Sequence, residues 1–415
     1  MTQIPDEIVQ RLLMPNGVQK TIAMPSGMSG ASVFRCRTAS HAGQLVDSSS
    51  QSEELALKCW PEQTPGHRVE AIHQRVSSLA SKLDLVPSYR RSVDGKTAVV
   101  DLRGCWWELS SWMPGQPLPA NADIAQVTCG ARALLAAHRH LCTIELGQDR
   151  HFQPPVFEPC VAVQERLKRL QTITQPLQRC FQSNLAGSVP VRQLTGTDPA
   201  LVLQAIDRAR ELLRRNWPDR SRRIQAELAT LQFDPVPQHW ILRDVHREHL
   251  LFVDRQVSGL IDFDAMRIDS PIVDFARWLG SFDCFWESPF ETATQILAEV
   301  EPDSPLTASP AIGDPPQFTE PPSSEPGTGR PTAPRDSSWG LDSPPATVRP
   351  PSTFRAIEEG KSIKLLMAIA RASLWLSLGN WVVWLVDESR QFPDLSRVAE
   401  RVGRLTDYAS RDAEH

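Results

Sequence analysis

The chain has 415 residues, 41% of them hydrophobic and 22% charged, with a formal net charge of −5. That length buries one large core or two moderate ones, and the acidic balance argues against a general electrostatic footprint for nucleic acid. Eight cysteines, at positions 36, 59, 105, 129, 142, 160, 180 and 284, form no CxxC pair, which excludes a disulfide framework or a zinc site by spacing and leaves reduced thiols as the expectation.

In chain order, the opening stretch Met1 to Leu13 lacks the basic start and long apolar run of a signal peptide, so a cytoplasmic protein is expected. Residues 1–113 read as strands and turns. Ser32-Val-Phe-Arg-Cys-Arg37 alternates, Leu55-Ala-Leu-Lys-Cys-Trp60 is a short apolar strand, and Thr97 to Leu102 is another. A helix from about Arg68 to Leu83 interrupts them, and Asp94-Gly95 marks a hairpin-type turn. Residues 114–415 turn helical, with apolar residues at helical spacing from Asn121 to Leu141. Asp198-Pro199 opens a further helix that is expected to end near Asn216. The arginines between 208 and 223 are salted with Asp207, Glu211 and Asp219 and read as a solvated face.

Residues 302–351 hold fourteen of the 35 prolines, mixed with Ser, Thr, Gly and Asp. Such a composition buries too little apolar surface to offset the entropy of ordering, so a disordered insertion is expected, and with it a place for a protein partner. Ile363 to Val386 is the most membrane-like stretch. Lys364, Arg371 and Asn380 interrupt it, and its longest charge-free run, 372–386, has 15 residues. A spanning helix needs roughly 20, so a buried helix and no membrane partner are expected.

The chemistry concentrates in Leu242-Arg-Asp-Val-His-Arg-Glu-His-Leu-Leu-Phe-Val-Asp254, followed by Val257-Ser-Gly-Leu-Ile-Asp-Phe-Asp264. This is a carboxylate on a loop, a strand, a turn, a second strand, and a second carboxylate 18 residues after the first. Either acid alone is a common turn residue. Paired at the end of one hairpin they suit phosphoryl transfer, in which one carboxylate orients a hydroxyl and another holds a divalent ion.

The pattern resembles the aminoglycoside phosphotransferases and the wider choline-kinase-like group. It is carried by Asp244, His246, Ile261-Asp262-Phe263-Asp264, Asp269-Ser-Pro271 and Asp274-Phe-Ala276. The resemblance implies an α+β, bilobal, protein-kinase-like fold. A small N-terminal antiparallel-sheet lobe over residues 1–113 would bind nucleotide, and a larger, mainly helical lobe over 114–415 would hold catalytic and substrate groups. It implies ATP and Mg²⁺ as cofactors and a small-molecule hydroxyl substrate. Asp244 would be the base, Asp262 the metal ligand, Asp264 a second ligand, and Asp274 a brace for the loop.

Upstream, Pro25-Ser-Gly-Met-Ser-Gly-Ala-Ser-Val-Phe-Arg-Cys-Arg37 resembles a glycine-rich hairpin over phosphates, with Gly27, Ser29 and Gly30 at the nucleotide. Lys58, a lone cation in an apolar strand, needs a partner. Glu70 on the following helix is the expected one, besides the ATP phosphates. Trp106-Trp-Glu-Leu-Ser-Ser-Trp-Met-Pro-Gly115 resembles the hinge, with Ser111 and Met113 among the groups that bond adenine. Two positions depart from the family. His249 stands where the loop asparagine is expected, and Leu242 where a histidine is. Imidazole suits Mg²⁺ poorly and Mn²⁺ better, so His249 is a doubtful metal ligand. Three outcomes follow, namely an active kinase, a nucleotide-binding pseudokinase without turnover, and a scaffold.

Overall fold

The strand-rich start folds as a five-stranded antiparallel sheet in the order β1-β2-β3-β5-β4. The strands are β1 (Val18–Ala23), β2 (Ser32–Thr38), β3 (Glu54–Cys59), β4 (Ala98–Val100) and β5 (Trp106–Ser111). In this computed structural model the described residues are 3–24, 31–38, 52–144, 156–183, 199–300, 359–388, 390, 392 and 394–414. The proline-rich insertion expected at 302–351 lies outside them.

Alternation along β3 sends Leu55, Leu57 and Cys59 to one face of the sheet and Ala56 and Lys58 to the other. The first set packs with Phe34, Trp107 and Leu109 against Ile8 and Leu12. Those two come from a short helix, α1 (Asp6–Ile8), and the wider turn Val9–Leu13 that extends it. Helix α2 (Gly66–Ala80) buries Val69, Ile72, Val76 and Leu79 at helical spacing, on the core of the second lobe.

The connection between β4 and β5 is locked by Asp101, whose side chain is fully buried. Its carboxylate accepts the N–H groups of Arg103 and Cys105, both at 2.9 Å, and the indole N–H of Trp107 at 3.0 Å. Burial alone raises the pKa of Asp101, but these donors and Arg103 more than offset it, so the net shift is downward. Asp101→Ala would leave two buried donors without acceptors, an expected loss of about 2–4 kcal/mol in urea unfolding. A group whose folded pKa is depressed contributes fully above its unfolded pKa, about 3.9, and loses that contribution as pH falls through the folded value. The gap between wild type and variant should therefore narrow in acid.

The second lobe is mainly helical. It contains α3 (Ile124–Ile144), α4 (Val161–Gln182), α5 (Pro199–Leu231), α6 (Ile272–Leu279), α7 (Asp283–Glu287), α8 (Pro289–Val300), α9 (Glu359–Val382) and α10 (Leu395–Glu414). Two small antiparallel sheets accompany the helices. One is β10 (Gln256–Leu260), β9 (Leu250–Val253) and β6 (Gln116–Pro117); the other is β11 (Arg267–Asp269), β8 (Pro235–Ile241) and β7 (Val156–Pro159). The chain crosses between lobes at Met113 to Gln116. Gly115 has φ +107 there, and a Cβ on it would meet the Phe252 carbonyl oxygen at 2.7 Å, so glycine is required.

Helix α5 does not end near Asn216. It runs through Pro218 to Leu231, because Trp217, Ile224 and Leu228 keep a buried stripe on both sides of the proline, and that packing outweighs one lost hydrogen bond. The exposed arginines of α5 pair largely with Glu211, Asp219 and Asp407, as a solvated face would, whereas Arg220 is largely buried and lies 3.9 Å from the buried Asp412. The stretch Lys361–Asp387 is long and apolar enough to cross a membrane, yet 72% of its most apolar window is buried inside the protein. Trp375, Leu378 and Val382 on α9 belong to the main core.

Candidate active site

The hairpin that follows β8 delivers the acids. After β8 the loop 242–249 carries Asp244, then β9 and β10 are joined by a two-residue turn at Asp254-Arg255, both with positive φ, the twist that suits a tight hairpin. The chain emerges at Ile261 to Asp264 and returns beside β8 as β11, with Arg267 opposite Ile241 and Asp269 opposite His239. Loop and hairpin are tied by Ile261 N–H to the His249 carbonyl at 2.9 Å.

Backbone strain concentrates at the two acids. Arg243, next to Asp244, has φ +70 and Asp262 itself has φ +65, a region costly for side chains other than glycine. The loop is held in that shape by the fully buried Asp274, which accepts the Leu242 N–H at 2.8 Å. Arg243 donates to Glu165 at 2.8 Å and so anchors the loop on α4.

Lys58 reaches across from the sheet to both acids of the hairpin end. Its ammonium donates to Asp264 Oδ1 at 2.6 Å and to Asp262 Oδ1 at 3.2 Å. Burial works to lower its pKa, but Asp264, Asp262 and Glu108 overcome that and raise it, so the ammonium stays charged. Glu108 lies directly opposite Lys58 in the β3–β5 register and shares its face. It accepts from Trp60 Nε1 at 2.6 Å and lies 2.7 Å from His73 Nε2.

Glu70 does not partner Lys58. It is exposed, because the helical period turns Val69, Ile72 and His73 inward and leaves position 70 on the solvent side. Helix α2 reaches the site through Arg68 instead, which donates to the Asp264 carbonyl at 2.7 Å. The glycine-rich positions Gly27, Ser29 and Gly30 lie outside the described residues. Ser111 lines the cleft, but its N–H donates to the Ser88 carbonyl and its hydroxyl accepts the Ser88 N–H, each at 2.9 Å. Met113 also lines the cleft, and its backbone N–H has no partner among the described residues.

Asp244 stands half exposed at the cleft and is ion-paired with Arg277 of α6. That guanidinium holds the carboxyl below its usual range against the opposing effect of burial. Burial pushes Asp264 up to about 6, with help from the charges of Asp262 and Glu108 and against the pull of Lys58. Asp262 goes the other way. Burial raises it, but Lys58 and His249 outweigh that and the net shift is downward. His249 spans the two acids, with Nδ1 2.6 Å from the Asp244 carbonyl and Nε2 3.4 Å from Asp262 Oδ2. A carbonyl only accepts, so Nδ1 carries a proton.

Among the described residues no group of three or more His, Cys, Asp and Glu side chains forms a ready metal cage. Two observations nonetheless fit a divalent ion. Asp264 Oδ2 is buried without a hydrogen-bond partner among the described residues, and His249 Nε2 stands 3.4 Å from Asp262 Oδ2, the oxygen of that carboxylate that Lys58 does not touch. The cleft itself has a volume of about 780 Å³ and is lined by Lys58, Met113, Asp244, Asp262 and Asp264, and also by Trp381 of α9 and Tyr408 of α10. Glu108, His73 and the arginines of α10 are the functional neighbours that sequence reading missed. A charge inside the apolar run Trp106 to Leu109 was the available signal for the first.

A search of curated proteins finds no match. Among solved structures, an amicoumacin kinase, hAmiN, in complex with AMP-PNP, Ca²⁺ and Ami is similar in fold, with a TM-score of 0.50 and 12% identity over 97% of this chain and 94% of that one. An aminoglycoside phosphotransferase from Alicyclobacillus acidocaldarius subsp. acidocaldarius gives 0.47 at 12% identity, over 100% and 95% of the two chains. The family described as phosphotransferase enzyme family (APH) matches residues 48–303. That match spans more than half of the sequence and contains β3 with Lys58, the loop of Asp244 and the hairpin end of Asp262, and the chain belongs to the phosphotransferase enzyme family.

Proposed function

We propose that the protein transfers the γ-phosphoryl group of ATP to a hydroxyl of a small molecule, with Asp244 at the acceptor and Asp262 and Asp264 at the phosphates. The observation that carries this reading is the convergence of Lys58, from the sheet, with Asp262 and Asp264, more than two hundred residues later, at one cleft that also holds Asp244. In this reading residues 1–113 are the nucleotide-binding lobe and 114–415 the acceptor lobe. The Met113 N–H is the group that meets adenine. That the fold-similar amicoumacin kinase structure holds AMP-PNP and Ca²⁺ supports a nucleotide and a divalent ion in such a cleft.

The acceptor oxygen attacks the γ-phosphorus, the bond from that phosphorus to the βγ-bridging oxygen breaks, and ADP leaves with the electron pair. Asp244 accepts the hydroxyl hydrogen bond and then its proton. Arg277 keeps this carboxylate ionised and weakly basic, which suits an orienting role in a transition state where the proton leaves late. Lys58 neutralises phosphate oxygens once they displace the two aspartates from it. Asp262 and Asp264 would hold a divalent ion, which would supply further charge neutralisation at those oxygens.

Because His249 presents a nitrogen where a neutral amide oxygen is usual, Mn²⁺ is favoured over Mg²⁺. His249→Asn should shift the ratio of kcat/KM for ATP in the two metals toward Mg²⁺ by roughly tenfold or more. An unchanged ratio removes His249 from the metal site. The same residue favours a second reading, a nucleotide-binding pseudokinase. Its mark is wild-type protein that binds ATP with either metal and shows no transfer or slow hydrolysis with it.

A further inference from the structure

Phosphoryl transfer in this cleft, on which the inference rests, leaves the part of the cavity lined by α9 and α10 without an assigned occupant. We propose that the acceptor is an anionic hydroxyl compound, its carboxylate or phosphate group held by Arg401 and its neighbours and its apolar part lying against Trp381 and Trp384. Helix α10 sets Arg397, Arg401 and Arg404 on one face by i, i+4, i+7 spacing. Arg247 from the loop of Asp244, Arg277 from α6 and Arg390 join them around the cleft, six guanidiniums in all.

The carboxylates beside them, among the described residues, are five, and each is already engaged. Asp244 takes Arg277, and Glu248 takes Arg397 and, at 3.5 Å, Arg247. Glu400 takes Arg404, and Glu388 takes Arg390 at 2.5 Å. Asp394 accepts the Arg397 N–H at 3.0 Å and the Ser396 hydroxyl at 2.7 Å, at the start of α10. Six guanidiniums against these five carboxylates leave an excess of positive charge, which favours an anion over a polyamine, and a guanidinium paired with one carboxylate still has N–H donors to offer.

A second cavity, an arm of about 390 Å³, shares Arg247, Glu248, Arg397, Arg401 and Arg404 with the cleft and adds Asp394, Ser396 and Glu400. It has room for a carboxylate or phosphate group, both of which suit planar guanidinium recognition. Trp381 and Trp384, edge to face at 5.2 Å between ring centres, give the remainder of the acceptor an apolar wall.

Calorimetric titration of the full chain tests this with tartrate, glycerol 3-phosphate, inorganic phosphate, glycerol and kanamycin, on wild type, Arg401→Gln, Arg401→Lys and Arg397→Gln. At least one of the three anions should bind more tightly than glycerol and kanamycin. Arg401→Gln should weaken that anion roughly tenfold or more, with Arg401→Lys intermediate and with AMP-PNP affinity unchanged. Tartrate against the two phosphates tells which anionic group the arm takes. Tighter binding of kanamycin or glycerol, no anion binding, or anion affinity indifferent to both glutamine substitutions overturns the proposal. Anion binding without any AMP-PNP binding would remove the phosphotransfer reading and leave the anion site standing.

Discussion

Asp262→Asn is expected to abolish metal-dependent nucleotide binding while leaving the fold intact. Asparagine tolerates the left-handed backbone that Asp262 adopts at φ +65, so the substitution removes charge without adding strain. What disappears is a hard oxygen ligand beside Asp264 and one of the two carboxylates that Lys58 touches. The rise in melting temperature that ATP with Mg²⁺ or Mn²⁺ gives to wild type should fall to that of ATP alone. Phosphoryl transfer should fall roughly 10²-fold or more, which corresponds to about 2.7 kcal/mol of transition-state stabilisation. Equal metal-dependent shifts in variant and wild type would take Asp262 out of the site.

Asp244→Asn is expected to separate chemistry from binding. The amide still accepts a hydrogen bond from the acceptor hydroxyl but cannot take its proton, so transfer should drop by about 10²–10⁴. ATP affinity should stay within the error of calorimetry, because Asp244 pairs with Arg277 whereas the carboxylates that Lys58 touches are Asp262 and Asp264. The loss of its pairing with Arg277 should change stability little, since the carboxylate is half exposed and solvent screens the pair. Full turnover in this variant would give the proton-accepting role to another group. A drop in ATP affinity matching the drop in rate would make Asp244 a nucleotide residue.

Much of the site was legible in the sequence because its parts obey short-range rules. The hairpin between Asp244 and Asp262 announced itself through apolar strands of β period broken by Asp254-Arg255, and Lys58 through a lone cation in an apolar strand. Both depend only on neighbours in the chain. The partner of Lys58 was not legible in that way. Two acids lie close by in the chain, Glu62 in the turn before helix α2 and Glu70 on that helix, but which residue meets a strand is set by strand register, and the β3–β5 pairing puts Glu108 there. The length of α5 failed for a similar reason. Pro218 is a local stop signal, and the buried Trp217 and Ile224 that override it act through tertiary packing. The basic wall of the cleft was hidden by distance. Arg397, Arg401 and Arg404 share a helix face that spacing alone reveals, but nothing local says that this face meets a loop 150 residues earlier, as the Arg397–Glu248 pair shows it does.

The most direct test of the central claim is anomalous scattering from Mn²⁺ in crystals of the wild-type chain grown with AMP-PNP. The account predicts a manganese peak bonded to carboxylate oxygens of Asp262 and Asp264 and to the triphosphate, with the Lys58 ammonium moved onto phosphate oxygens. A nucleotide bound with its metal held by neither aspartate, or with Lys58 still joined to both, would contradict it.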